Sequence, residues 1–280
     1  MFQYAAAKRL AVRTDQDLSM DLSFLQQSAP QENLTVRDYE LSIFKIGERF
    51  ARPHEVNKLK NIKNKLLQRV FPGIDNPYVR EKYFQFDPSI LSLKGSHYLD
   101  GHWMTEKYFA DIGPIIRSEF EFKRPVLEHG KWLQSKIEES ESVAVQVRRG
   151  DYVTNQLVTK VHGITSIEYF RSAIDVIRTR LNNPTFFIFS DDSAWCIENF
   201  KELGSVFFVE KSLEGSGAAL SDYFQLLTMC RHFVISNSTF AWWGAWLSKN
   251  DDKTVIAPSK WFADPAIQTT DIYPEAWIKI

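Results

Sequence analysis

The chain has 280 residues, 44% of them hydrophobic and 25% charged, with a formal net charge of −1. That is the balance of an ordinary globular protein, long enough for one large or two medium domains and a sizeable core. The near-zero charge gives no basic field for nucleic acid, and the two cysteines, Cys196 and Cys230, have no metal or redox spacing and suit a reducing compartment.

Nothing reads as a membrane span. The longest apolar stretch, 233–247, is interrupted by Ser236, Asn237, Ser238 and Thr239. The start MFQYAAAKRL lacks a basic region followed by an apolar core, so no signal peptide is expected. Aromatics make up 14% of the chain, with eight tryptophans, and are read first as core and second as sugar or nucleotide platforms.

In chain order, the first half is irregular. Residues 2–10 predict a helix, and 57–71 a charged amphipathic helix. Pro72-Gly73 and Asn76-Pro77 mark loops. A strand is expected within 96–103, then a helix over 105–122 broken near Gly113-Pro114. The polar run EESES precedes a change of rhythm, so a domain boundary is placed there, giving domains 1–140 and 141–280.

The second half alternates. Strands are predicted at 143–148, 185–190, 205–210, 233–238 and 254–257. Helices are predicted at 166–181, 193–203, 219–231 and 239–249, with a Gly/Ser loop at 211–218. Thr165 with Glu168 three positions on forms a capping-box pattern. Apolar strands alternating with amphipathic helices predict parallel βαβ units, and such sheets bind ligands at the carboxyl ends of their strands. Arg148, Asp191, Asn237 and Ser238 all fall at such ends.

Two segments carry chemistry. In VAVQVRRGDYV a buried strand delivers Arg148, Arg149, Gly150 and Asp151. One reading is an ion pair within the loop, Asp151 neutralising an arginine. The other is an anion clamp, because the planar guanidinium fork holds phosphate oxygens bidentately. In FVISNSTFAWWGAWL a strand turns into a helix at Asn237, Ser238 and Thr239, placing hydroxyls and amides where phosphate binds. Ordinary capping by Ser238 or Thr239 explains the same residues. Trp242, Trp243 and Trp246 are expected in the core. Asp222 is either a charge placed by the helix dipole or an acceptor for a base edge. No HExxH or comparable ligand spacing, no Walker loop and no GxSxG is present, so no metal is expected.

With these residues in view, the chain resembles the α-1,2-fucosyltransferases of glycosyltransferase family 11, especially the bacterial ones. QVRRGD resembles the HxRRxD motif of the wider fucosyltransferase group, with Gln146 where that group usually has His. SNSTFAWWGAWL and GHWMTEKYF are similar to family signatures, and MFQYAAAKRLA is similar to the tail of the family's N-terminal glycine-loop motif. These four signatures, in order, span nearly the whole chain.

The resemblance implies an α/β, GT-B-like fold: two Rossmann-like domains facing across a cleft. The N-terminal one is expected to be incomplete, because the first strand and glycine loop precede this sequence. Residues 1–140 would be the acceptor side and 141–280 the donor side. It implies inverting, metal-independent transfer of L-fucose from GDP-L-fucose to the 2-hydroxyl of a terminal galactoside, with no cofactor. Arg148 would stabilise the departing diphosphate, supported by Arg149. Gln146, Asn237, Ser238 and Thr239 would hold the donor, and Asp222 the guanine edge. Asp151 ranks ahead of His162 as catalytic base. The expected partners are the nucleotide sugar and a galactose-terminated glycan, without nucleic acid. The expected setting is a bacterial cytoplasm with at most peripheral membrane contact. A fucosyltransferase of α-1,6 or protein O-linkage, or a GDP-sugar-binding remnant without catalysis, stays open beside it.

Overall fold

Parallel β-sheets organise the computed structural model, which describes residues 1–27, 38–60, 76–210 and 217–280. The chain divides into two compact units, Met1–Glu121 with Ile267–Pro274, and Phe122–Ala266 with Glu275–Ile280.

In the first unit, helix α1 (Phe2–Thr14) buries Phe2, Tyr4 and Leu10 and stops at Asp15, which takes the left-handed conformation at φ 53°. Helices α2 (Ser23–Gln27) and α3 (Pro53–Lys60) follow. The helix predicted over 57–71 is present to Lys60; its remainder, and Pro72-Gly73, lie outside the described residues. Strands β1 (Tyr78–Arg80) and β2 (Tyr98–Asp100) pair in parallel, Tyr78 opposite Tyr98. They form the unit's one sheet among the described residues. The helix expected over 105–122 divides into two 3-10 turns and α4 (Gly113–Glu119), where Pro114 occupies the first turn. Proline is tolerated there because that amide needs no helical partner.

The second unit opens with α5 (Glu128–Glu138), whose buried face is Gly130, Leu133 and Ile137. The polar run used to place a boundary at 140/141 is the short connection from α5 into β3 (Ser142–Val147), whereas the division between units falls at Glu121/Phe122. Next come α6 (Gly150–Thr154), α7 (Gln156–His162), α8 (Ile167–Arg180), β4 (Thr185–Ser190), α9 (Ser193–Phe200) and β5 (Val206–Val209). Helix α10 (Gly217–Met229), β6 (His232–Ile235), α11 (Thr239–Leu247), β7 (Val255–Ala257) and β8 (Ile278–Lys279) complete it.

The six strands run parallel in the order β5-β4-β3-β6-β7-β8. Counted from β3, that is 3-2-1-4-5-6, the Rossmann order, with its reversal between β3 and β6. The expected α/β class with parallel strands is therefore present. Alternation along β3 explains the layering. Val143, Val145 and Val147 enter a core with Phe170, Ile174 and Ile177 of α8 and Cys196 and Phe200 of α9. On the opposite face of the sheet, Phe189 of β4 meets Tyr223 of α10 at 5.3 Å between ring centroids.

Two local expectations change. Ser166, not Thr165, caps α8, its hydroxyl accepting from the Tyr169 N–H at 3.3 Å. Thr165 instead donates to Asn237 Oδ1 at 3.0 Å, so a tertiary bond outcompetes the local box. The strand predicted over 233–238 ends at Ile235, because residues 236–238 turn sharply: the Ser238 N–H donates to Ser236 O at 2.8 Å.

The three tryptophans of α11 are core, at 0%, 2% and 6% exposure for Trp242, Trp243 and Trp246. Gly244 lets α11 approach α10 closely, since a Cβ there would lie 2.5 Å from Leu227 Cδ2. Among the described residues no helix is long and apolar enough to cross a membrane.

Gly244→Ala should therefore overpack this contact and lower stability by about 1–3 kcal/mol, read as a lower urea midpoint at unchanged slope. Both cysteines are free and buried; burial pushes the Cys196 thiol up to about 11 against a Ser190 hydrogen bond, and raises that of Cys230. In native protein at pH about 8 neither should react with a thiol reagent, and both should react after unfolding.

Candidate functional site

The strand reversal brings two loops to one edge. β3 and β6 are neighbours, with Gln146 opposite Ile235, so Arg148 and Ser236 leave the sheet side by side. The Ser236 N–H donates to Gln146 O at 3.1 Å. Tyr152, just beyond the RRGD turn, donates its hydroxyl to Asn237 O at 3.3 Å. This is the crevice where sheets of this order hold ligands.

The arginines stand at that edge, ringed by carboxylates. Arg148 forks between two of them: Nη1 to Asp191 Oδ2 at 2.6 Å and Nη2 to Asp151 Oδ1 at 2.7 Å. Its guanidinium lies 5.6 Å from the Tyr152 ring centre. Arg149 turns the other way, with Nε 3.1 Å from Asp192 Oδ2 and its guanidinium 4.1 Å from the Trp195 ring centre. Both readings of RRGD thus have physical content. The Arg148–Asp151 pair exists, and the Arg148 side chain is still 26% exposed at a strand end. A guanidinium carries five N–H groups, so the two pairs leave donors available to an incoming anion.

Asp191, noted in the sequence only for its strand-end position, is the hub. Its Oδ1 accepts from the backbone N–H groups of Arg149 at 2.8 Å and Gly150 at 3.1 Å, while Oδ2 pairs with Arg148. A Cβ at Gly150 would sit 2.9 Å from Asp191 Oδ2, which explains the glycine between Arg149 and Asp151. Asp192 pairs with Arg149 and also caps α9, accepting from the Trp195 N–H at 3.2 Å. The signal for both was the strand-end pair in FSDD; what no pattern gives is that β4 lies beside β3, with Val147 opposite Ser190.

The other expected residues divide. Gln146 is 5% exposed and its Oε1 accepts from Ser236 Oγ at 2.7 Å, so it ties β3 to β6. Asn237 spends its side chain on protein: Nδ2 donates to His162 O at 2.8 Å and Trp261 O at 2.9 Å, and Oδ1 accepts from Thr165. That makes it a loop tie and removes its side chain from donor contact. His162 stacks on Tyr152, ring centroids 5.0 Å apart, and meets Phe262 at 5.1 Å. Ser238 precedes α11 without a side-chain cap bond, so the ordinary capping expected of it is absent. Thr239, in the first turn of α11, is exposed. The amide end of α11 therefore opens at the same edge as Arg148.

Asp222 does not join this group. Its carboxylate, 3% exposed, binds Arg124 Nη1 at 2.8 Å, the Leu127 N–H at 3.3 Å and His129 Nε2 at 3.3 Å. These contacts anchor the segment that leads into α5. These three contacts take up most of its acceptor capacity. Among the described residues no group of three or more His, Cys, Asp or Glu is arranged to hold a metal ion.

In the first unit, the GHWMTEKYF signature is built around Glu81, which accepts from the His102 N–H at 2.6 Å and the Trp103 N–H at 3.0 Å. A Cβ at Gly101 would lie 2.4 Å from Glu81 Cβ, so only glycine fits the turn. Thr105 then caps a 3-10 turn, and Lys107 pairs with Asp271 at 2.5 Å.

Comparison with known proteins gives the family. The model of glycosyl transferase family 11 matches residues 49–280, and the chain belongs to that family. It is 31% identical over 283 residues to the alpha-1,2-colitosyltransferase of Escherichia coli, covering all of this chain and 94% of that one. It is 28% identical to the O-antigen biosynthesis glycosyltransferase WbnK of Escherichia coli, covering all of this chain and 96% of that one. With the galactoside alpha-(1,2)-fucosyltransferase 2 of Mus musculus it shares 39% identity over 152 residues, 51% of this chain and 42% of that one. Among solved structures it aligns with the NodZ alpha-1,6-fucosyltransferase at TM-score 0.48 and 15% identity, covering 88% of this chain and 87% of that one.

Asp191→Ala removes the acceptor for two amides and one of the two partners of Arg148. It should cost about 1–3 kcal/mol in chemical denaturation. Gly150→Ala, which pushes the same carboxylate aside, should lose stability in the same direction.

Proposed function

We propose that this chain is an inverting, metal-independent transferase that moves L-fucose from GDP-fucose to the 2-hydroxyl of a terminal galactoside. The observation that carries this reading is the Arg148–Arg149 pair at the reversal of a Rossmann-ordered sheet. Membership of a family with α-1,2-fucosyltransferase relatives supports it. The second unit is the donor side and the first the acceptor side. The full-length relatives named above are bacterial, which favours a bacterial glycan as acceptor and a cytoplasmic setting.

As the bond from the sugar C1 to the β-phosphate oxygen breaks, negative charge grows on that phosphate. Arg148 meets it with a fork already fixed in direction by Asp191 and by the Tyr152 ring. Such preorganised donors stabilise the transition state without reorganising during the reaction. Arg149, held against Trp195 by Asp192, keeps the turn in place and adds positive potential. The Ser238 hydroxyl, which makes no cap bond, and the amide end of α11 at Thr239 hold further phosphate oxygens. Phosphate oxygens take the place of Asp151 on the Arg148 fork, and the released carboxylate turns to the sugar face opposite the diphosphate, where it accepts the proton of the acceptor hydroxyl as that oxygen bonds to C1. His162, held between Tyr152 and Phe262, ranks behind Asp151 as base. We assign guanine recognition to no side chain, because Asp222 is bound to Arg124, Leu127 and His129.

A second donor reading has its own support. The 31% identical full-length relative is an alpha-1,2-colitosyltransferase, and colitose is fucose without its 3-hydroxyl. The same diphosphate grip serves both sugars, so the two readings differ only around the sugar ring.

The test is transfer from GDP-fucose, GDP-colitose and a UDP-sugar to β-galactosides, with product linkage determined. A GDP-sugar should be used, the linkage should be α-1,2, and chelator should leave the rate unchanged. Arg148→Lys keeps charge and loses the fork, so transfer should fall by about 10²–10³ with the fold intact. A UDP-sugar preference, loss with chelator that metal restores, or near-native turnover of the lysine variant contradicts the reading. GDP binding without transfer to any galactoside favours a non-catalytic remnant.

A further inference from the structure

The first unit contains a concavity that the proposed chemistry does not use. It has a volume of about 620 Å³ and is lined by Asn76, Tyr78, Arg80, Glu81, Lys82 and Tyr83. We propose that it is a glycan subsite that takes an acidic sugar residue of the acceptor. This rests on the transferase reading and adds a substrate preference to it.

Four features point to that ligand. Tyr83 is 73% exposed and, among the described residues, its ring has no ring contact and its hydroxyl no hydrogen bond. An aromatic face left open to water suits the C–H face of a sugar, while its hydroxyl stays wet. Arg80 and Lys82 are exposed on either side of Glu81. Arg80 reaches a carboxylate only at 3.9 Å, to Asp100, and Lys82 has no ion-pair partner among the described residues.

The one carboxylate of the lining is also accounted for. Both Glu81 oxygens accept backbone N–H groups, from His102 and Trp103, which draws that charge into the GHW turn. Beside that anchored carboxylate the lining presents two cations, Arg80 and Lys82, and the open Tyr83 ring. Tyr78 supports the floor: it stacks on Tyr98 at 5.9 Å between centroids and donates its hydroxyl to Asp100. A neutral sugar would leave Lys82 without a counter-charge among the described residues and Arg80 with only its 3.9 Å contact to Asp100, whereas a uronate or sugar phosphate meets both.

The experiment uses the full chain and two oligosaccharides that end in the same β-galactoside. One carries a uronic acid at an inner position, and the other carries the neutral sugar. Binding is followed by ligand-observed NMR without donor, at low and at physiological salt. At low salt the acidic glycan should bind about tenfold more tightly, and the advantage should shrink with salt. The double substitution Arg80→Ala with Lys82→Ala should abolish the preference and leave the neutral glycan unchanged. Tyr83→Ala should weaken both glycans. All three side chains are exposed, so thermal unfolding should not move. Equal binding of the two glycans, no binding of either, or a preference that survives in the double variant overturns the proposal. A preference retained by a chain that uses no GDP-sugar would overturn the transferase reading and leave this subsite standing.

Discussion

The Asp191 carboxylate, at the end of β4, binds two backbone amides and one guanidinium of the loop that leaves β3, the strand beside the sheet's reversal. Much of the local architecture follows from that junction. A side chain at Gly150 would displace the carboxylate, and a larger shift of the turn would separate Arg149 from Trp195 and Asp192. Three aspartates against two arginines solve an electrostatic problem. Half-buried cations left unpaired would repel one another and cost several kcal/mol in desolvation. At roughly a quarter exposed, the Arg148 pairs are accessible enough for a phosphate to compete with them.

Around this junction most polar side chains are spent on fixing the loops. Asn237 ties the turn after β6 to the ends of α7 and of the Trp261 segment. Gln146 and Ser236 join β3 to β6 beneath the arginines. Asp222 anchors the chain entering α5. These bonds stiffen the frame, and the groups with spare donors are few: the Arg148 fork and the opening amides of α11. That division between structural ties and open donors holds the few open donors in fixed directions.

Sequence reasoning reached five of the six strands of the second unit because each is an apolar run bounded by turn residues, and their parallel direction because helices alternate with them; it missed β8, which has only two residues. It also found both loops at the reversal, since strand ends are where such sheets bind. It missed α6 and α7, which have five and seven residues and are too short to display a helical period. It missed the hub role of Asp191, because the partner of Arg149 and Gly150 is more than forty residues away, and only the strand order makes them neighbours. Asn237, Gln146 and Asp222 have the residue types of ligand contacts. Their partners, which no local pattern reveals, make them ties instead. In the first unit, Glu81 and Gly101 were unreadable for the same reason: the bond that matters joins two separate segments.

In the proposed mechanism Arg148, and not Arg149, leaves its aspartate for a diphosphate. Side-chain nitrogen resonances of the two arginines, followed by NMR during a GDP titration, test it directly. The Arg148 signals should shift as GDP binds while those of Arg149, stacked on Trp195, stay in place. GDP binding that leaves Arg148 unmoved, or that moves Arg149 alone, would contradict it.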